Sequence, residues 1–294
     1  MSDLKFPTYG GQAVIEGVMM RGSHTAVIAM RAPNNEITTH TEPLSAIYRS
    51  RITKIPFLRG LVMLWDALIL GMRALTISAN TQTGEEEKLE GPALYLTFGL
   101  SLAFGMALFF LAPAWAGQVS EKLFHLNAWW GNLIEGLIRL TLLVAYIWLV
   151  GRIPDIRRVF AYHGAEHKTI NAFEAGSELT PENVARYSLE HPRCGTSFLL
   201  TLVVLSVLLF SLLGPLPMFW RLASRILLLP VLAGLAYEYI RWTARHIQSP
   251  FVRLIVRPNL ALQRLTTREP GLDMLEVAIT AFNTVRNQEM GINL

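Results

Sequence analysis

The sequence predicts an α-helical integral membrane protein with about four transmembrane helices plus an interfacial helix, a small N-terminal β-meander and cytoplasmic helices. Of its 294 residues, 52% are hydrophobic and only 16% are charged, which is more apolar than a soluble domain of this length. Several apolar runs approach the roughly 20 residues that a helix needs to cross a bilayer. The single cysteine excludes an internal disulfide bond.

Residues 1–55 are predicted to be a cytoplasmic, β-rich region. Residues 12–20, 25–31 and 36–41 have strand character, and turn sequences at residues 21–23 and 33–35 separate them. A meander this small is not stable alone, so we expect it to pack against the other cytoplasmic segments.

Residues 56–91 are predicted to hold an interfacial amphipathic helix and an acidic connector. Within the apolar stretch 57–77, Arg59, Asp66 and Arg73 recur every seven residues and form one polar stripe, as in a helix that lies in the membrane surface. A span here would place Asp66 near the middle of the bilayer. The polar residues 80–90 are expected to be a solvated connector.

Two transmembrane hairpins are predicted, one within residues 92–150 and one within residues 195–241. The first contains apolar runs at 93–112 and 133–150, and the second contains runs at 195–213 and 222–240. Glu135 and Arg139 are four residues apart and can neutralise each other on one helix face. Glu238 is tolerable if it faces protein or lies near the interface.

Lysine and arginine counts predict the orientation. Seven lie in residues 1–59, six in residues 151–194 and seven after residue 240. Basic segments stay in the cytoplasm, so both termini and the central loop are predicted to be cytoplasmic. The C-terminal tail, residues 242–294, should end in an amphipathic helix after Pro270 and Gly271.

The central loop, residues 151–194, carries the H-x-x-E-H pattern of inverted zinc hydrolases. On a helix predicted over residues 155–174, His163 and His167 occupy one face and can hold one metal ion. Glu166 lies between them and is the candidate general base that takes a proton from water at the metal.

Three further residues could complete the site. Glu174 lies two turns beyond His167, and His191 and Cys194 follow shortly before the third predicted span. Three protein ligands plus water would form a catalytic zinc site, and four would form a structural one. Zinc is the default metal, and the same donors also suit iron. The alternative is a metal-free, hydrogen-bonded polar cluster.

A glycine-rich segment, residues 10–22, surrounds two further candidates, Glu16 and Arg21. Glycine permits a close backbone approach, which suits a strand that faces a ligand. Tight turns with solvated Glu16 and Arg21 are the alternative.

Four motifs in order resemble the YqhQ-like bacterial membrane proteins, described as predicted metal-dependent enzymes. They are GGQAVIEGVMMR at residues 10–21, YHGAEHK at 162–168, HPRCGT at 191–196 and LTTREP at 265–270. The resemblance covers almost the whole chain. It implies a multi-pass protein of the bacterial cytoplasmic (inner) membrane with metal-dependent activity.

We therefore expect a metal-dependent hydrolase. The alternatives are a non-enzymatic scaffold or membrane-protein assembly factor whose His/Cys cluster is structural, and a transporter. The lipid bilayer is the expected partner. A cytosolic or membrane-protein partner and a homo-oligomer stay open, and nothing predicts specific nucleic-acid binding.

Overall fold

A computed structural model describes residues 9–45, 51–83 and 91–291. Four strands precede a series of helices. The strands are β1 (Gly10–Val14), β2 (Gly17–Arg21), β3 (Thr25–Arg31) and β4 (Ile37–Pro43). The helices are α1 (Leu58–Thr83), α2 (Pro92–Met106), α3 (Ala112–Leu123), α4 (Ala128–Val150), α5 (Pro154–Glu174), α6 (Pro181–Val184), α7 (Thr196–Ser211), α8 (Met218–Leu227), α9 (Leu229–Arg245), α10 (Pro250–Thr266) and α11 (Leu272–Glu289).

The strands form an antiparallel sheet in the order β1-β2-β3-β4, which confirms the predicted meander. The prediction of one strand over residues 12–20 was wrong, because the chain reverses at Ile15 and Glu16. Glu16 adopts a φ of 52° at this turn. The reversal escaped prediction because neither residue is a usual turn former.

The sheet packs between helices on both faces. One face contributes Val18, Met20, Val27 and Ala29 to a core shared with α5 and α11. The other face packs Met19, Ile28 and Met30 against Leu70 and Ala74 of α1. The predicted meander was expected to need such support, and these two layers provide it to the four strands.

The two halves of helix α1 pack against different parts of the protein. Its C-terminal half contacts the sheet, where Ser78 Oγ accepts a hydrogen bond from Ile15 N at 3.2 Å. Its N-terminal half crosses α9, where a Cβ on Gly60 would lie 2.9 Å from Tyr237 Cβ. The helix continues to Thr83, so the predicted connector is helical over residues 80–83, and its residues 84–90 lie outside the described chain.

Several helices are long and apolar enough to cross a membrane. Among the described residues, three qualify by length and composition: Leu58–Thr83, Tyr95–Leu123 and Ala128–Val150. A fourth candidate is the pair α8 and α9, which is bent by 44°. The predicted run 222–240 is therefore broken at Leu228. The predicted run 195–213 corresponds to α7, an apolar helix of 16 residues.

A buried polar network centred on Glu135 connects α3, α4, α7 and α8. Glu135 of α4 is 1% exposed and contacts Arg139, Arg221 and Arg225, which are also buried. The sequence predicted only the Glu135–Arg139 pair. The arginines of α8 complete the network because they lie on the inner face of that helix.

Candidate metal centre

Helix α5 carries the two histidines of the H-x-x-E-H pattern on one face. It begins with Pro154 at its N-terminal turn and runs to Glu174, close to the predicted bounds. The ring centroids of His163 and His167 are 4.4 Å apart, as expected for positions one turn apart on a helix.

Backbone carbonyl groups orient both imidazole rings. His163 Nδ1 is 2.9 Å from Thr266 O, and His167 Nδ1 is 2.5 Å from Leu189 O. A carbonyl oxygen only accepts hydrogen bonds, so each Nδ1 carries the proton and donates it. Each Nε2 then keeps its lone pair, which is the usual arrangement of metal-binding histidines.

Cys194 brings a sulfur atom to the same place. It lies just before α7, and its Sγ is 3.3 Å from His163 Nε2. The ligand atoms of His163, His167 and Cys194 all lie within 4.8 Å of one another. The three residues therefore form a group that could hold a metal ion, with two nitrogen donors and one sulfur donor.

Glu166 borders this group. It is 4% exposed, and its Oε2 lies 3.5 Å from His167 Nε2. Its other neighbour is strand β1, where a Cβ on Gly11 would fall 2.7 Å from Glu166 Cγ. The carboxylate is thus held between the sheet and the histidines.

His191 and Glu174 lie together beside the group. His191 Nε2 is buried without a hydrogen-bond partner among the described residues, and Glu174 Oε2 is 3.9 Å from it, beyond hydrogen-bond distance. Burial disfavours the charged form of Glu174, but His191 and Arg193 outweigh it and lower its pKa to about 2. Among the described residues, the group that could hold a metal consists of His163, His167 and Cys194, and it includes neither His191 nor Glu174.

Glu16 attaches the sheet to α5. Its carboxylate accepts two hydrogen bonds of 2.5 Å from the guanidinium of Arg158. These bonds lower the pKa of Glu16, and burial raises the pKa of the neighbouring Tyr162 phenol. Arg21 lies at the far end of β2, opposite Gly10.

Several orienting groups went unpredicted. The carbonyls of Thr266 and Leu189 hold the histidine rings. The side chain of Gln263 bonds both the N–H and the carbonyl of His191. Lys168 Nζ donates to Ala185 O and Tyr187 O. A backbone carbonyl has no signature in sequence, and only the motif at residues 265–270 pointed to this region.

Fold and site together define a mostly helical protein with a small antiparallel sheet, several apolar helices and a His/Cys group that could hold a metal. The chain belongs to the DUF1385 family, described as a protein of unknown function, whose family model matches residues 55–288. It is 37% identical to the uncharacterized protein YqhQ of Bacillus subtilis (strain 168), over 96% of this chain and 93% of that protein. No solved structure matches it significantly.

Proposed function

We propose that the protein is a metal-dependent hydrolase of the bacterial cytoplasmic membrane, with its site on the cytoplasmic side. The observation that carries this proposal is the convergence of ligand atoms from His163, His167 and Cys194 beside the Glu166 carboxylate. Three protein ligands would hold a metal ion and leave room for a water molecule or a substrate atom, as in catalytic zinc sites.

A divalent ion at these donors would supply Lewis acidity and a nucleophilic hydroxide near neutral pH. Glu166 would accept the proton of the attacking water, since its carboxylate lies 3.5 Å from His167 Nε2. Zinc is the metal we propose first, because two imidazoles and one thiolate suit it, and iron is the second choice.

The arrangement of the helices supports the membrane orientation. Cys194 lies at the start of α7, whereas Glu135 and Arg221 contact each other at the opposite end of the bundle. The sheet, α5 and α11 share one core at the Cys194 end, and the basic loop 151–194 contains Cys194 itself, as the positive-inside rule expects of a cytoplasmic end.

The interfacial role of α1 follows from the same packing. Its second half is bound to the sheet through Leu70 and Ala74. Only about 12 residues precede Leu70 in this helix, roughly 18 Å at 1.5 Å per residue, and this is too short to cross the hydrocarbon core. We therefore propose that α1 dips into the membrane surface without spanning it.

The test compares the purified wild-type protein with a Glu166→Gln variant on a panel of fluorogenic ester, amide and phosphoester substrates. We expect both proteins to bind one metal ion and the variant to lose on the order of 10²-fold or more in turnover. If Glu166→Gln instead rescues a deletion strain as well as wild type does, the His/Cys cluster serves a scaffold or assembly factor.

A further inference from the structure

Among the described residues, no strand pairs with the outer edge of β1 next to Glu166. Strand β1 is an edge strand of the sheet, and its Gly11 is exposed. Gly11 is also the residue whose Cβ position lies 3.0 Å from Glu166 Oε1. A segment that pairs with this edge would therefore run alongside the proposed general base, one strand spacing of about 4.8 Å away from β1.

The hydrogen-bond pattern shows which main-chain groups point outward. Arg31 N donates to Glu16 O, and Gly22 N donates to Thr25 O, so the even-numbered residues of β2 bond towards β3. Its odd-numbered residues must then pair with Val14, Gln12 and Gly10 of β1. This alternation leaves the N–H and carbonyl groups of Gly11 and Ala13 directed away from the sheet.

The two edge strands of the sheet differ in whether they carry features that prevent pairing with another chain. The opposite edge strand, β4, ends at Pro43 and carries the Glu42 carboxylate, which contacts His40. Charges and proline are the usual devices that prevent an edge from pairing with another chain. Strand β1 has the sequence GGQAV, which contains neither. Among the described residues, none outside the sheet bonds to the backbone of Gly11 or Ala13.

We propose that the edge of β1 binds an extended polypeptide, which makes polypeptides the substrate class of the metal centre. Alternating outward N–H and carbonyl groups complement an extended main chain. The catalytic part of this inference rests on the proposed hydrolase function. There, water adds OH to the scissile carbonyl carbon and H to the leaving nitrogen as the C–N bond breaks, with Glu166 passing the proton.

Binding is tested in the Glu166→Gln background, which keeps bound peptides intact. The probe is a pool of fluorescein-labelled decapeptides of random sequence, followed by fluorescence anisotropy. Ala13→Pro removes one outward N–H and places a ring on the edge. Ala13→Ser keeps that N–H, and Thr39→Pro makes the equivalent change on β4.

We expect Ala13→Pro to weaken binding by about fivefold or more, as for the loss of one or two hydrogen bonds, and both controls to leave it unchanged. A pool with N-methyl groups on alternate residues should bind the protein that keeps Ala13 as weakly as the ordinary pool binds Ala13→Pro. This second comparison keeps the test valid if Ala13→Pro does not fold. Equal binding of Ala13→Pro and Ala13→Ser, or equal binding of the N-methylated pool, would overturn the proposal.

The outcomes also separate the edge site from the hydrolase. Edge-dependent binding without cleavage by the wild-type protein would contradict the hydrolase and support the edge site. Peptide cleavage that Ala13→Pro leaves intact would support the hydrolase and overturn the edge site. Cleavage of glycerophosphoglycerol, with no binding of peptides, would show a lipid-headgroup substrate and also overturn it.

Discussion

Gly11 of β1 lies directly against Glu166 of α5: a Cβ atom at Gly11 would fall 2.7 Å from Glu166 Cγ and 3.0 Å from Glu166 Oε1. These residues are 155 positions apart in the chain (166 minus 11), yet the sheet sets the position of the proposed general base. This contact also gives the glycine-rich segment at residues 10–22 a role, because a side chain at Gly11 would clash with Glu166 and with Met19 O, which lies 2.7 Å from the same Cβ position.

Gly11→Ala should displace the Glu166 carboxylate and leave the metal-binding atoms in place. A misplacement of about 1 Å at a catalytic group lowers rates on the order of 10²-fold, so turnover should fall while metal content stays constant. Gly10→Ala is the matched control, since no atom lies within 4 Å of its Cβ position. Similar turnover in the two variants would show that the Gly11 contact does not position Glu166.

Glu135→Gln should destabilise the bundle. Glu135 pairs with Arg139, Arg221 and Arg225, and all four side chains are at least nine-tenths buried. Removing one partner of a buried ion pair costs about 3–5 kcal/mol, because the remaining charge stays buried without compensation. Thermal unfolding in detergent measures the effect.

The control for that variant is Glu182→Gln, at an exposed position of α6. It should leave the unfolding midpoint unchanged. If Glu135→Gln also left the unfolding midpoint unchanged, the buried arginines would not need the Glu135 carboxylate to stabilise the fold.

The Glu16–Arg158 pair should make the attachment of the sheet pH-dependent. The hydrogen bonds from Arg158 lower the pKa of Glu16 below its usual value of 4.5. A depressed carboxyl pKa stabilises the fold above the unfolded-state pKa, and this stabilisation disappears as the pH falls through the folded-state pKa. Glu16→Gln should therefore cost about 1 kcal/mol at pH 7.

The stability difference between wild type and Glu16→Gln should shrink as the pH is lowered below 4.5. Unfolding midpoints measured across this range provide the check. A difference that stays constant down to the lowest pH at which the protein folds would exclude the ion pair as its cause.

Local patterns in the sequence predicted those parts of the protein that depend on neighbouring residues. The i,i+4 spacing of His163 and His167 was sufficient to place both rings on one face of α5. The short helix α6 likewise begins at a local signal, with Thr180 as its N-cap and Pro181 in its first turn.

The remaining features depend on contacts between distant segments. Cys194 contacts His163, His191 lies beside Glu174, and Gln263 of α10 hydrogen-bonds the backbone of His191. Arg225 of α8 reaches Glu135 of α4 across 90 positions. Spacing along the chain cannot distinguish such partners, so the sequence left the third ligand open.

The most direct test of the metal centre is elemental analysis of the detergent-purified protein, prepared without chelators, beside a folded His163→Ala/His167→Ala variant. We predict about one equivalent of zinc or iron in the wild-type protein and none in the variant, since three convergent ligands match a catalytic zinc site. No metal in either sample would contradict the metalloenzyme account and leave His163, His167 and Cys194 as a polar packing cluster.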